Sequence, residues 1–220
     1  MKSEKISDAV VRRLPVYLRF LNELSRREVS TVSSQELGQK LDLNPAQIRK
    51  DLAYFGDFGR KGIGYDVAYL IEKIQQILNL DQQINVALIG AGNLGQALSN
   101  YNAYVKDNMK IVAVFDASPG KIGGKINNIE IQPIEMLDET VRNMNIRIGI
   151  ITVPAAEAQH VADKLVAAGI GAILNFAPTI LKVPAEVRVH AADFTTDLMS
   201  LAYYLDGGKE MKDHDSKMAD

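Results

Sequence analysis

At 220 residues, with 47% hydrophobic content and a net charge of −2, the chain is long enough for two small domains that each bury a core. The absence of cysteine excludes disulfides, thiolate zinc sites and cysteine nucleophiles, and the three histidines, His160, His190 and His214, do not cluster. No stretch approaches the roughly 20 apolar residues of a membrane span, and the charged opening lacks an apolar core, so a cytoplasmic protein is expected. Charge is uneven: residues 1–66 carry 12 Lys and Arg against 9 Asp and Glu, and residues 67–220 carry 13 against 18. A surplus that small suits a solvated mixed-charge face and does not by itself argue for nucleic acid.

Ile6, Val10, Leu14, Leu18, Leu21 and Leu24 recur at helical spacing, with Arg12, Arg13, Arg19, Arg26 and Arg27 expected on the surface. Pro15 predicts a short first turn and then a kink or fresh start. Ser33-x-x-Glu36 is a capping box that opens a second helix through Leu37 and Leu41. Asn44-Pro45-x-Gln47 then supplies an N-cap, a proline at N1 and a capping-box partner for a third helix through Ile48, Leu52 and Phe55. Its other face presents Gln47, Arg49, Lys50 and Tyr54, whose polar groups suit base edges and phosphates. Two short helices joined tightly make a helix-turn-helix, and the glycine-punctuated run from Gly56 to Tyr65 reads as a β-hairpin wing. The candidate DNA contacts are Ser33, Gln47, Arg49, Lys50 and Tyr54 on the helices and Arg60, Lys61 and Gly62 in the wing. The bland alternative is a helical subdomain with a surface loop. A fourth helix from Asp66 leads into Asp81-Gln82-Gln83, which bounds a first domain of residues 1–80.

Beyond it, Ile84–Ile89 runs into Gly90-Ala91-Gly92-Asn93-Leu94-Gly95 and then into helix, which sets the glycines on a strand-to-helix turn. Gly90 permits the turn, Gly92 admits a pyrophosphate, and Gly95 lets helix and strand approach closely. A second strand ends at Asp116, 21 residues past Gly95, where the ribose hydroxyls of NAD are usually held. Strands at 84–90, 110–116, 146–153, 172–177 and 187–193, with helices at 93–106, 133–144 and 155–168 and a short strand near Ile129, predict an α/β domain over 81–193 with a mainly parallel sheet. Ligands in such sheets lie at the strands' carboxyl ends. Those ends supply Gly90 to Gly95, Asp116, Thr152, Val153, Pro154, Asn175, Phe176, Ala177 and Pro178, with Lys121 close by, as cofactor-binding candidates. The apolar stripe of Phe194, Leu198, Leu201, Ala202 and Leu205 is a last helix, 194–206, either pairing with another subunit or capping its own sheet. Residues 207–220 read as a disordered tail.

Several runs in this order resemble the Rex family of bacterial redox-sensing transcriptional repressors, from about Ile6 to Leu205. They are RLPVYLRFL (13–21), IRKDLAYFG (48–56), KGIGYDV (61–67), GAGNLG (90–95), FDASPGKIG (115–123), ITVP (151–154) and AAGIGAILNFAP (167–178). Arg60-Lys61 departs from the Lys-Arg order more common in the family, which keeps the charge but alters bidentate contacts. The resemblance implies a winged-helix domain followed by a Rossmann domain, a homodimer on double-stranded palindromic operator DNA, NADH or NAD+ as ligand, and a terminal helix exchanged between subunits. It further implies an allosteric network of Arg19, Tyr101 and Asp193, and Phe194 beside the nicotinamide. The rival reading is an NAD-dependent dehydrogenase with an accessory helical domain, since most chains with this nucleotide fold transfer hydride. The residues expected near the nicotinamide suit holding a ring rather than acid–base chemistry, so no catalytic residue and no metal ligand is expected.

Overall fold

The structure, a computed structural model, describes residues 6–54, 59–60, 64–101 and 108–205, with backbone alone at 59, 60 and 101. The chain divides into two units, residues 1–83 and 84–220.

In the first unit, α1 (Asp8–Arg26) runs unbroken through Pro15, against the expectation of a kink or restart. An interior proline costs about 3 kcal/mol. Here the helix buries Val10, Leu14, Tyr17, Leu18 and Leu21 along one stripe, each worth about 1.5–3 kcal/mol, so burial wins. Pro15 itself faces outward. α2 (Ser34–Leu41) and α3 (Pro45–Ala53) follow, joined through Asp42, whose φ of 52° turns the chain sharply. The Ser33–Glu36 capping box forms as expected. The second expected box does not: Asn44 caps Ala46 N–H, while Gln47 turns away to Asp51. Strands β1 (Thr31–Val32), β2 (Gly59–Arg60) and β3 (Gly64–Asp66) form an antiparallel sheet in the order β1-β3-β2. Two of them are the wing hairpin, and β1 was too short to read from periodicity. Helix α4 (Val67–Ile77) packs against α1, and its Val67, Leu70 and Ile74 share one core with Ile48 and Leu52 of α3.

One polar cluster sits inside this apolar core. Asp51 is 0% exposed. It accepts from Arg13 Nε and Nη2 at 2.6 and 2.8 Å, from the Tyr17 hydroxyl at 2.7 Å and from Gln47 Nε2 at 2.7 Å. Arg13 is therefore not the surface residue expected from its neighbours; its side chain is 26% exposed and clamps α1 to α3. Burial pushes the Asp51 pKa up, but the hydrogen bonds from Arg13, Tyr17 and Gln47, with the Arg13 charge, outweigh it and hold the carboxyl below its ordinary value.

The second unit is built on a seven-stranded sheet. Its elements are β4 (Ile84–Ile89), α5 (Asn93–Tyr101), β5 (Met109–Asp116), β6 (Lys125–Ile126), β7 (Ile129–Pro133), a 3-10 turn (Ile134–Met136), α6 (Leu137–Asn143), β8 (Ile146–Ile151), α7 (Ala155–Ala167), β9 (Ala172–Asn175), β10 (Arg188–Ala191) and α8 (Phe194–Leu205). Strand order is β10-β9-β8-β4-β5-β7-β6, with every pairing parallel except β6 with β7. The hairpin β6-β7, read as loop plus one strand, turns at Asn127 and Asn128, whose φ of 47° and 65° fit a type I′ turn. Along β4, Ala87 and Ile89 join one core with α6 and α7, while Val86 and Leu88 join another with Ile111 and Ile131. This is the two-sided burial of a parallel sheet covered on both faces. α8 has no buried residue. No helix among the described residues is long and apolar enough to cross a membrane.

Replacing Asp51 by Ala strands the Arg13 guanidinium and the Tyr17 and Gln47 donors, and is expected to destabilise the first unit by on the order of 3 kcal/mol, measured by denaturant unfolding. Because its folded pKa lies below the 3.8 of an ordinary Asp, the Asp51 contribution is complete above that value and is lost as pH falls through the folded pKa. The acid limb of an unfolding-versus-pH series flattens in the variant if this carboxylate carries the effect.

Candidate functional site

The strand order reverses between β4 and β8, and a ligand crevice opens at such a point outside the carboxyl ends of the strands. Here the two ends are stitched together. The Thr152 hydroxyl lies 3.0 Å from the Ile89 carbonyl and 2.8 Å from that of Gly90, Thr152 N–H donates to Ile89, and Gly90 N–H donates to Phe115 on β5. Gly90 has φ 109°, and a Cβ there would lie 2.7 Å from the Thr152 carbonyl. At Gly95 a Cβ would lie 2.0 Å from the Gly90 carbonyl, so only glycine lets α5 start this close to the turn. A Cβ at Gly92 would meet nothing within 4 Å, so the turn has open space on that side for a ligand. Asn93 and Leu94 are exposed at the start of α5, and Ala91 is buried behind it.

Asp116 closes the other side. Its Oδ2 accepts from Ala91 N–H at 2.7 Å and from Lys121 Nζ at 3.0 Å, and its Oδ1 from Ser118 N–H at 2.8 Å. Burial pushes its pKa up, but the Ser118 N–H, Lys121 and Ala91 N–H outweigh this and the carboxyl is held low and ionised. The resulting cleft has a volume of about 520 Å³ and is lined by Gly90, Gly92, Asp116, Lys121, Thr152, Val153 and Pro154. This is room for much of a dinucleotide, with open glycine backbone for phosphates and an ionised carboxylate for hydroxyls.

Sequence reading missed part of the lining. Ala117, Ile134, Glu157, His160 and Val161 also face the cleft. The last three are i, i+3 and i+4 on α7, so the helical period after Pro154 was the signal that could have found them. Ala91, Asn93, Leu94 and Gly95 of the glycine turn do not line it, and neither do Asn175, Phe176, Ala177, Pro178 and Phe194. Asn175 is 1% exposed and folds its own loop: its Nδ2 donates to the Ala177 and Thr179 carbonyls and its Oδ1 accepts Ala177 N–H. It is a buried loop organiser rather than an open ligand group. Phe176, Ala177 and Pro178 shape the same loop, with Ala177 buried and Pro178 exposed. Phe194 is 71% exposed and is absent from the lining of its own chain's cleft. Asp193 caps α8, accepting from Thr195 N–H and the Thr196 hydroxyl, which hold its pKa low. Among the described residues no group of three His, Asp or Glu side chains could hold a metal ion.

In the first unit the exposed face of α3 carries Arg49, Lys50 and Tyr54. Arg49 Nη1 donates to Ser34 Oγ at 3.0 Å and steadies the helix pair, whereas Gln47 is drawn inward by Asp51. Ser33 uses its oxygen as acceptor for Glu36 N–H at 3.1 Å, leaving its hydroxyl proton for another partner. Arg19 is exposed on α1. The wing residues Lys61 and Gly62, and the side chains of Arg60 and Tyr101, lie outside the described residues.

A family model described as a CoA binding domain matches residues 81–179, and one described as the N-terminus of a putative DNA-binding protein matches residues 5–53. The redox-sensing transcriptional repressor Rex of Brevibacillus brevis strain 47 is 63% identical over 204 residues, spanning 93% of this chain and 99% of that one. The crystal structure of RSP in complex with β-NAD+ and operator DNA superposes with a TM-score of 0.86 at 41% identity, covering 92% of this chain and 94% of RSP. RSP in complex with β-NADH gives 0.83 at 40%, covering 92% and 95%. These relatives are repressors, not dehydrogenases, and their matches cover 92–93% of the chain. An α/β nucleotide cleft and a helix-turn-helix in one polypeptide thus have a single explanation: the chain belongs to the Rex family of redox-sensing transcriptional repressors.

Proposed function

We propose that the chain acts in the cytoplasm as a homodimer that binds double-stranded palindromic operator DNA and releases it when NADH binds. Residues 1–80 form the winged-helix DNA-binding domain, 81–193 the NAD(H)-binding Rossmann domain and 194–206 the dimerisation helix; the tail 207–220 lies outside the described residues. The observation that carries this reading is the convergence of Gly90, Gly92, Asp116 and Thr152 on one cleft at the switch point of the sheet. It is supported by the solved relatives, held with β-NAD+ and operator DNA in one case and with β-NADH in another.

In this reading the Gly90–Gly95 backbone receives the pyrophosphate, Asp116 the adenosine ribose, and Thr152 to Pro154 the adjoining wall. The segment Asn175–Pro178 frames the nicotinamide end, with Asn175 acting through the loop it holds. Phe194 reaches a nicotinamide only from another subunit or after α8 moves, and α8, apolar and unburied, suits exchange between protomers. Arg49, Lys50, Tyr54 and Ser33 contact DNA together with Arg60, Lys61 and Gly62 of the wing, while Gln47 positions the helix. Arg19, Tyr101 and Asp193 carry the coupling. The reduced nicotinamide is a signal rather than a reactant.

Release then works by differential affinity. Driving a two-state dimer almost fully from its operator-competent form to the other takes about 5.5 kcal/mol, or roughly 10⁴-fold tighter NADH binding to one form. NAD+ either binds the two forms more evenly or competes without closing the dimer.

Linkage makes the first test sharp: operator DNA must weaken NADH binding by the factor by which NADH weakens operator binding. Titrating NADH with and without a palindromic operator is expected to give unequal affinities, and equal ones would end the model. Lys50→Ala is expected to lose about 1–3 kcal/mol of operator affinity if Lys50 reads base edges, or to lower the salt slope by about one if it touches phosphate. An unchanged affinity and slope would take α3 out of the interface. Asp116→Ala is expected to weaken NADH and narrow its advantage over NADPH, because the carboxylate both accepts the ribose hydroxyls and repels a 2′-phosphate. Full retention of the preference in a binding assay would remove Asp116 from the ribose site.

A further inference from the structure

The donors around Asp116 are one too many. A carboxylate offers about four lone-pair positions, and three are taken by Ala91 N–H, Ser118 N–H and Lys121 Nζ. Two vicinal ribose hydroxyls need two. Ala91 N–H belongs to the glycine turn. Ser118 N–H belongs to a loop further tied by Lys121 N–H to the Ser118 carbonyl and by Gly123 N–H to the Ile131 carbonyl. Neither backbone group leaves without dismantling the cleft. The Lys121 ammonium can: among the described residues its one hydrogen bond, at the end of a flexible four-carbon stem, is to Asp116, and its side chain is 43% exposed against 11% for Asp116.

We propose that Lys121 competes within the chain for the ribose-accepting face of Asp116, and that it thereby sets how strongly NADPH competes with NADH. The inference rests on the dinucleotide reading above. When NADH enters, the ribose hydroxyls take the place of the ammonium, and Lys121 loses its counter-ion while remaining in the cleft wall. When NADPH enters, the 2′-phosphate meets the same displaced ammonium and gains a charge-assisted partner, against the repulsion of Asp116. Asp116 and Lys121 thus push discrimination in opposite directions from one ion pair. Lys125, exposed on β6, is the nearest cation in sequence and serves as the control.

The test is titration of NADH and NADPH against the full-length wild-type protein and the variants Lys121→Met, Lys121→Arg and Lys125→Met. In Lys121→Met, NADH is expected to tighten by about two- to fivefold, the worth of a half-exposed ion pair, and NADPH to weaken roughly tenfold or more. Lys121→Arg keeps NADPH binding, and Lys125→Met leaves the ratio of the two affinities where it was. Nucleotide-free operator affinity and melting temperature check that each variant folds. If Lys121→Met weakens both nucleotides in the same proportion, Lys121 touches the part they share and the inference is overturned. An equal effect of Lys125→Met reduces it to general charge and overturns it too. A wild-type protein that binds neither nucleotide overturns the dinucleotide reading itself, whereas NADH binding with an unmoved ratio in Lys121→Met overturns this inference alone.

Discussion

The nucleotide half of this molecule depends on how closely the carboxyl ends of β4 and β8 approach each other. The Thr152 hydroxyl sits 2.8 Å from the Gly90 carbonyl, a distance that no side chain on residue 90 would permit. With that contact made, Gly95 brings α5 down onto the turn, Gly92 is left facing open space, and Phe115 on β5 receives the Gly90 N–H. The cleft follows from sheet topology, from Gly90 and Gly95, where a Cβ would collide, and from the Asp116 bonds that tie the glycine turn to the following loop.

Each unit places one ionised aspartate where desolvation alone would disfavour the charge, and surrounds it with donors that reverse the outcome. Asp51 holds α1 to α3 through Arg13, Tyr17 and Gln47. Asp116 holds the glycine turn to the following loop through Ala91 and Ser118. The two differ in what is left over. Asp51 is sealed by side chains whose hydrogen bonds end there, which makes it structural. Asp116 keeps one exposed and replaceable donor, Lys121, which makes it available to a ligand. A buried carboxylate with every donor fixed can orient a helix, and one with a single weakly held donor can exchange partners.

Local rules read from the sequence reached the elements whose signals are local. Ser33 and Glu36 formed their box, Asn44-Pro45 started α3, and the run from Gly90 to Gly95 carried β4 into the first turn of α5. They failed where a distant partner decided the matter. Pro15 predicts a break, yet α1 continues because its buried stripe outweighs the lost hydrogen bond. Gln47 is suited to cap its own helix, but Asp51, one turn on, accepts its amide along with Arg13 from α1. Asn175 sits at a strand end where ligands bind, yet its amide closes the loop Ala177–Thr179. Arg13 looks like its neighbour Arg12, and only the fold distinguishes them. In the cleft, the residues found sit at strand ends, whereas Glu157, His160 and Val161 enter by helical period from α7, a signal present in the sequence but subordinate to the strand-end rule.

α8 leaves an apolar face uncovered among the described residues. A helix of 12 residues is marginal in water unless its apolar face is covered, and here Phe194, Leu198, Met199, Leu201, Tyr203, Tyr204 and Leu205 are all exposed. Asp193 caps its N-terminus but supplies no burial. The sheet is already covered on both faces, and among the described residues nothing covers this stripe. In the proposed dimer that cover is a second copy, and the helix that stabilises the pair also brings Phe194 towards a nucleotide cleft. Association, nucleotide sensing and operator spacing then become one equilibrium, in which a change in the packing of α8 is felt by all three.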